Sequence, residues 1–136
     1  MPASKTDVDL SKRVANLKKK DRRLKVLIAV GGWSFNDPGQ TEQTFSNIAR
    51  DENAQRQFIG SVLKFLQTYN SDGIDLDWEY PGTPDRKGRG EDFANFPKFM
   101  KRLKEALHGY EVSITLPASF CKCCPVITPC SPPSRT

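Results

Sequence analysis

Three carboxylates alternate with three large apolar residues in one short segment. Asp75, Asp77 and Glu79 are interleaved with Ile74, Leu76 and Trp78. An extended strand points alternate side chains to opposite faces, so the three acids share one face at a spacing of about 6.6 Å. One face of such a strand is suited to burial under helices and the other to lining an acidic pocket. Crowded carboxylates repel, which favours a retained proton on at least one of them near neutrality. A protonated acid beside an ionised one is the arrangement that general-acid chemistry at a glycosidic or phosphate oxygen requires. A calcium or magnesium site is the weaker reading, because carboxylates in line on one strand do not enclose a hard cation. The apolar opposite face also argues against a solvated edge strand. Asp72 is out of phase with the other acids and reads as a structural residue at the strand entry.

The surrounding elements must place this strand. Helical spacing of Leu10, Val14 and Leu17 predicts a helix over 9–20. The run Val26 to Val30, ending in Gly31-Gly32, reads as a buried parallel strand, with the two glycines allowing a tight turn beside the pocket. Asn36-Asp37-Pro38-Gly39 is a turn signal, and Thr44 to Arg50 fits a short helix. Asp51 can cap a helix to Tyr69, with Phe58, Val62, Phe65, Leu66 and Tyr69 on its stripe. A Gly- and Pro-rich loop spans 81–90. A second long helix follows over 93–107 with Phe96, Phe99, Met100, Leu103 and Leu107, and Gly109 as its stop. Val112 to Leu116 is the third strand. Alternating helices and strands imply an α/β fold with parallel strands.

Bulk composition narrows the function classes. The chain has 136 residues and a net charge of +5, partly from Lys18, Lys19, Lys20, Arg22, Arg23 and Lys25. A solvated helix end and loop account for that cluster without nucleic acid, and no nucleic-acid motif accompanies it. No apolar run is long enough to span a membrane, and residues 1–9 lack the apolar core of a signal peptide.

Asp72-x-x-Asp75-x-Asp77-x-Glu79 followed by Tyr80-Pro81 resembles the signature of glycoside hydrolase family 18, the chitinases, of fungal type. Lys25 to Phe35 resembles that family's third barrel strand and Gly-Gly turn, with Ala29 where many members have Ser, and Val112 to Ser119 resembles its fifth strand. The resemblance covers roughly 9–119. It implies a partial (β/α)8 TIM barrel of about three parallel strands, equivalent to strands 3–5, in a fold that typically needs about 250 residues.

The resemblance also implies a chemistry. Glu79 is the acid that protonates the glycosidic oxygen of β-1,4-linked N-acetylglucosamine chains. The substrate's own acetamide is the nucleophile, so the reaction retains configuration. Asp77 orients that acetamide, and Asp75 sets the protonation of Asp77. Tyr80 follows a bond that is often cis in the family, a plain trans loop being the alternative. Trp33 stacks on a sugar ring or packs in the core, whereas Trp78 points to the helices. Gly31 and Gly32 flank the bound sugar. His108 is a surface residue at a helix end. The substrate is chitin or chito-oligosaccharide; no cofactor, metal, nucleic acid or membrane is implied, and secretion is the family's habit. A non-catalytic chitin-binding lectin of the same fold is disfavoured by the presence of Glu79. An enzyme acting on the chitobiose core of N-glycans shares the motif. The chain by itself is expected to be a poor catalyst or none, since the family draws further substrate-binding groups from later strands.

Residues 120–136 differ in character, with Cys121, Cys123, Cys124, Cys130 and four of the ten prolines. They lack the spacing of a zinc site and read as an irregular tail outside the family domain of 1–119, with foreign sequence from an unspliced intron or frameshift as one origin.

Overall fold

A computed structural model describes residues 5–117. The expectation of an irregular tail at 120–136 lies outside the described residues. The elements run α1 (Lys5–Asn16), β1 (Leu27–Gly31), α2 (Thr44–Arg50), α3 (Glu52–Tyr69), β2 (Gly73–Asp77), α4 (Asp92–Ala106) and β3 (Glu111–Ile114). A single 3-10 turn, Leu17–Lys19, continues α1, and another, Trp33–Asn36, follows β1.

The three strands form one parallel sheet in the order β1-β2-β3, so the acidic strand is central, as the alternation of elements predicts. Leu27 pairs with Gly73 and Gly31 with Asp77; Gly73 pairs with Glu111 and Leu76 with Ile114. Strand bounds differ from the sequence reading by one or two residues at each end. The first helix begins at Lys5 and ends at Asn16 rather than running over 9–20.

The apolar face of β2 is the centre of the core. Ile74 and Leu76 are fully buried and Trp78 nearly so, packed with Leu66 of α3 and with Phe96, Phe99 and Leu103 of α4. Burying a side chain of this size stabilises the fold by about 1.5–3 kcal/mol. Trp78 lies between Phe45 at 5.8 Å and Phe96 at 5.4 Å, the latter edge-on. Its helix-facing direction is as predicted.

Local sequence explains the helix ends. The Asp51 carboxylate accepts from the Ala54 N–H at 2.8 Å, capping α3. Asn70 closes α3 in the left-handed conformation, at φ 52°. Pro97 lies inside α4 near its start and faces solvent. The predicted stripe of α1 forms but stays open: Leu10, Val14 and Leu17 are 46%, 42% and 46% exposed. No helix among the described residues is long and apolar enough to cross a membrane.

Candidate active site

Asp75, Asp77 and Glu79 lie on the face of β2 away from the helices, all partly exposed, while Ile74, Leu76 and Trp78 are buried. Strand register sets their neighbours. Ala29 of β1 and Ser113 of β3 flank Asp75, and Gly31 flanks Asp77. Small and hydroxylic side chains therefore surround the acids, leaving an open polar surface.

Each carboxylate has a different environment. Both oxygens of Asp75 accept hydroxyls, from Ser113 Oγ at 2.5 Å and Thr115 Oγ1 at 3.2 Å. Asp75 is thus held as an acceptor by β3 and makes no hydrogen bond to Asp77 among the described residues. Asp77 is the contrast: its Oδ1 is buried and has no hydrogen-bond partner. Buried polar atoms are normally paired, and leaving one unpaired costs about 1–3 kcal/mol. Asp77 Oδ1 is therefore an acceptor awaiting a donor.

The Gly-Gly turn explains how β1 comes so close. Gly31 has φ +116°, and a Cβ there would lie 2.1 Å from the Asp77 carbonyl oxygen. Only glycine fits. Gly32, at φ +102°, donates its N–H to the same carbonyl at 2.9 Å. Both glycines shape the backbone around Asp77.

Glu79 follows the C-terminal end of β2, and its peptide bond to Tyr80 is cis. The Glu79 N–H donates to Asn36 Oδ1 at 3.1 Å, and Asn36 is buried. Burial pushes the Tyr80 hydroxyl above its usual pKa; its hydrogen bond with Glu79 and the charges of Glu79 and Asp77 push the same way, against Arg86. Tyr80 and Glu79 thus share one polar cluster with Asp77.

Two further groups fix the rim. Asp92, buried, accepts from Ser46 Oγ at 2.7 Å and from the N–H groups of Arg89 at 2.8 Å and Gly82 at 3.3 Å. It ties the 80–90 loop to α2. Arg86 donates to Asp37 Oδ1 at 2.6 Å and lays its guanidinium 3.7 Å from the centroid of the Trp33 ring. Trp33 is 53% exposed, so it is a surface ring beside the site and not a core residue.

Asp72 is a structural residue. It accepts from Lys18 Nζ at 2.8 Å and from the Val26 N–H at 2.7 Å. Burial alone would raise its pKa, but these two bonds and the charges of Lys18 and Lys25 outweigh it and hold the carboxyl below its usual range. His108 is exposed at the end of α4.

Sequence reasoning missed Asn36, Asp92 and the hydroxyls of Ser113 on β3 and Thr115 just after it. Ser113 and Thr115 could have been found, since alternation along β3 and its extension puts them on the acidic face.

The family model for glycosyl hydrolases family 18 matches residues 2–125. The chain belongs to this family. The endochitinase of Manduca sexta is 32% identical to it over 117 residues, 82% of this chain and 20% of the relative. The killer toxin subunits alpha/beta of Kluyveromyces lactis are 36% identical over 101 residues, 71% of this chain and 9% of the relative. This family 18 chain thus spans a fifth or less of the length of these two relatives. Among solved structures, the Group IV chitinase of Ostrinia furnacalis in complex with allosamidin superposes with a TM-score of 0.68 at 32% identity, covering 78% of this chain and 28% of that one. The three parallel strands and their helices are accordingly part of a (β/α)8 barrel, and Glu79 stands at the C-terminal end of its strand, where such barrels carry their active sites.

Proposed function

We propose that Asp75, Asp77 and Glu79 are the acidic wall of a chitin-hydrolysing site that works with retention and with the substrate's acetamide as nucleophile. The observation that carries this reading is the unpartnered Asp77 Oδ1 two residues before Glu79. An acetamide N–H is the donor that would satisfy it, and few other parts of a polysaccharide offer an N–H.

The step balances as follows. Glu79 gives its proton to the glycosidic oxygen as the C1–O bond breaks, and the acetamide carbonyl oxygen forms a bond to C1 from the opposite face. Asp77 accepts the acetamide N–H and offsets the positive charge that develops on that group. Water then attacks C1, returning its proton to Glu79 and expelling the acetamide oxygen, so configuration is retained. Asp75, already bonded to Ser113 and Thr115, supplies fixed negative charge behind Asp77. Trp33 offers its ring to a sugar at the rim, and Gly31 and Gly32 let the sugar approach Asp77. The substrate is chitin or its oligosaccharides, met outside the cell.

Turnover by the chain itself is slow in this reading. The described residues provide one wall of a cleft, and positioning contributes much of an enzyme's rate. A binding experiment tests the assignment independently of rate. N-acetylated chitotetraose should shift the amide resonances of Gly31, Gly32 and Asp77, and cellotetraose, which carries a hydroxyl in place of each acetamide and so offers no N–H, should not. Equal shifts by both sugars, or shifts that survive Asp77→Ala, would refute the acetamide role.

A further inference from the structure

One concavity among the described residues lies away from Glu79. It lies between the end of α1 and the C-terminal end of α3, with a volume of about 690 Å³. Lys12, Lys18, Lys19 and Arg22 line it together with Tyr69 and Asn70. It sits at the N-terminal end of β2, where Lys18 reaches Asp72. The acids lie toward the other end of that strand, whose five residues span about 16 Å.

Lys18 is accounted for by structure. It donates to the Asn70 carbonyl and to Asp72, both at 2.8 Å, at the negative end of the α3 dipole. Lys12, Lys19 and Arg22 are not. Among the described residues none of the three has an ion pair or a side-chain hydrogen bond. Three exposed cations line this concavity, and an anion bound there could pair with all of them. The volume is that of a small-molecule site and exceeds what a single ion needs. Tyr69 supplies an aromatic ring, held against Phe65 at 4.4 Å between centroids.

We propose that this cleft binds a small oligoanion bearing several phosphate or sulfate groups. The requirement for several groups follows from three separated cations contributed by two chain segments, α1 and the loop after it. The site stands apart from the sugar-binding face, so occupancy here does not compete with a substrate at Glu79.

The test uses the whole chain with tripolyphosphate in one arm and a sulfated heparin disaccharide in the other. Amide resonances of Thr68, Tyr69 and Asn70 are followed at low and moderate salt. Saturable shifts with at least one anion, weakened by added salt, are expected. Saturation by only one anion identifies which oxyanion the cleft takes. The double variant Lys19→Ala/Arg22→Ala should weaken binding about tenfold, while Lys98→Ala/Lys101→Ala, which removes the same charge from α4, should change it less than about twofold. Shifts that do not saturate with either anion, or equal weakening in the two variants, would overturn the proposal.

Discussion

Gly31→Ala should be a strongly destabilising single-methyl change. The added Cβ would lie 2.1 Å from the Asp77 carbonyl oxygen and 2.8 Å from a ring carbon of Phe45. Neither can withdraw easily, since the carbonyl belongs to the central strand and Phe45 is buried. A residue forced into such a positive-φ conformation costs about 1–3 kcal/mol. Separating β1 from β2 also loses the hydrogen bond from the Gly32 N–H to Asp77, a further 0.5–1.5 kcal/mol or about that. The total is about 1.5–4.5 kcal/mol, a large share of the roughly 5–15 kcal/mol that holds a typical domain together. Urea unfolding followed by far-UV circular dichroism measures it, and with a slope of about 1–3 kcal/mol per molar the midpoint should fall by about 1–2 M. Gly60→Ala is the matched control. Gly60 is exposed on α3 and a Cβ there would meet nothing within 4 Å. That change should raise stability by about 0.5–1 kcal/mol through helix propensity. A Gly31→Ala variant within about 0.5 kcal/mol of the parent would refute the close approach of β1 to Asp77.

Other perturbations have equally definite outcomes. Trp78→Ala should cost about 3–5 kcal/mol, because it empties the space between Phe45 and Phe96, and near-UV circular dichroism should lose its aromatic signal. Asn36→Ala leaves the Glu79 N–H without its acceptor and should destabilise by about 1–3 kcal/mol, with the largest amide shifts at Glu79 and Tyr80. Asp72 has a folded-state pKa below its unfolded value, so its stabilising effect is present above about pH 4 and is lost as pH falls through the folded value. The stability difference between the parent and Asp72→Asn should therefore be constant from pH 7 to 5 and shrink below pH 4. Arg86→Ala should release the Trp33 ring, broadening or moving its indole N–H resonance while changing stability by about 1 kcal/mol or less.

The parts of the fold legible in sequence were those encoded locally. The period-2 run at 74–79 put three acids on one face and three apolar residues on the other, and the structure agrees. The 3.6-residue stripes gave α3 and α4, with Leu66, Phe99 and Leu103 in the core. Ile59 escaped because Phe58 and Phe65 suggested a neighbouring stripe, which is only partly buried. Asn36 read as a turn residue because Asn-Asp-Pro-Gly is a turn sequence. Its contact with Glu79 joins residues 43 apart and leaves no local trace. Asp92 was hidden for the same reason, since Ser46 is 46 residues away. The apolar stripe of α1 was visible in sequence, but its exposure was not, because periodicity reports a face and not what covers it.

The proposed role of Glu79 as proton donor to a glycosidic oxygen is open to measurement by hydrolysis of N-acetylated chitohexaose, followed by chromatography of the products, with this chain and its Glu79→Gln variant at equal, high concentration. A sugar leaving group needs protonation, so the substrate reports the acid step itself. Product should form slowly with the parent, and its rate should fall by about 10²-fold or more in Glu79→Gln. Hydrolysis at the same rate in both would show that Glu79 is not the acid.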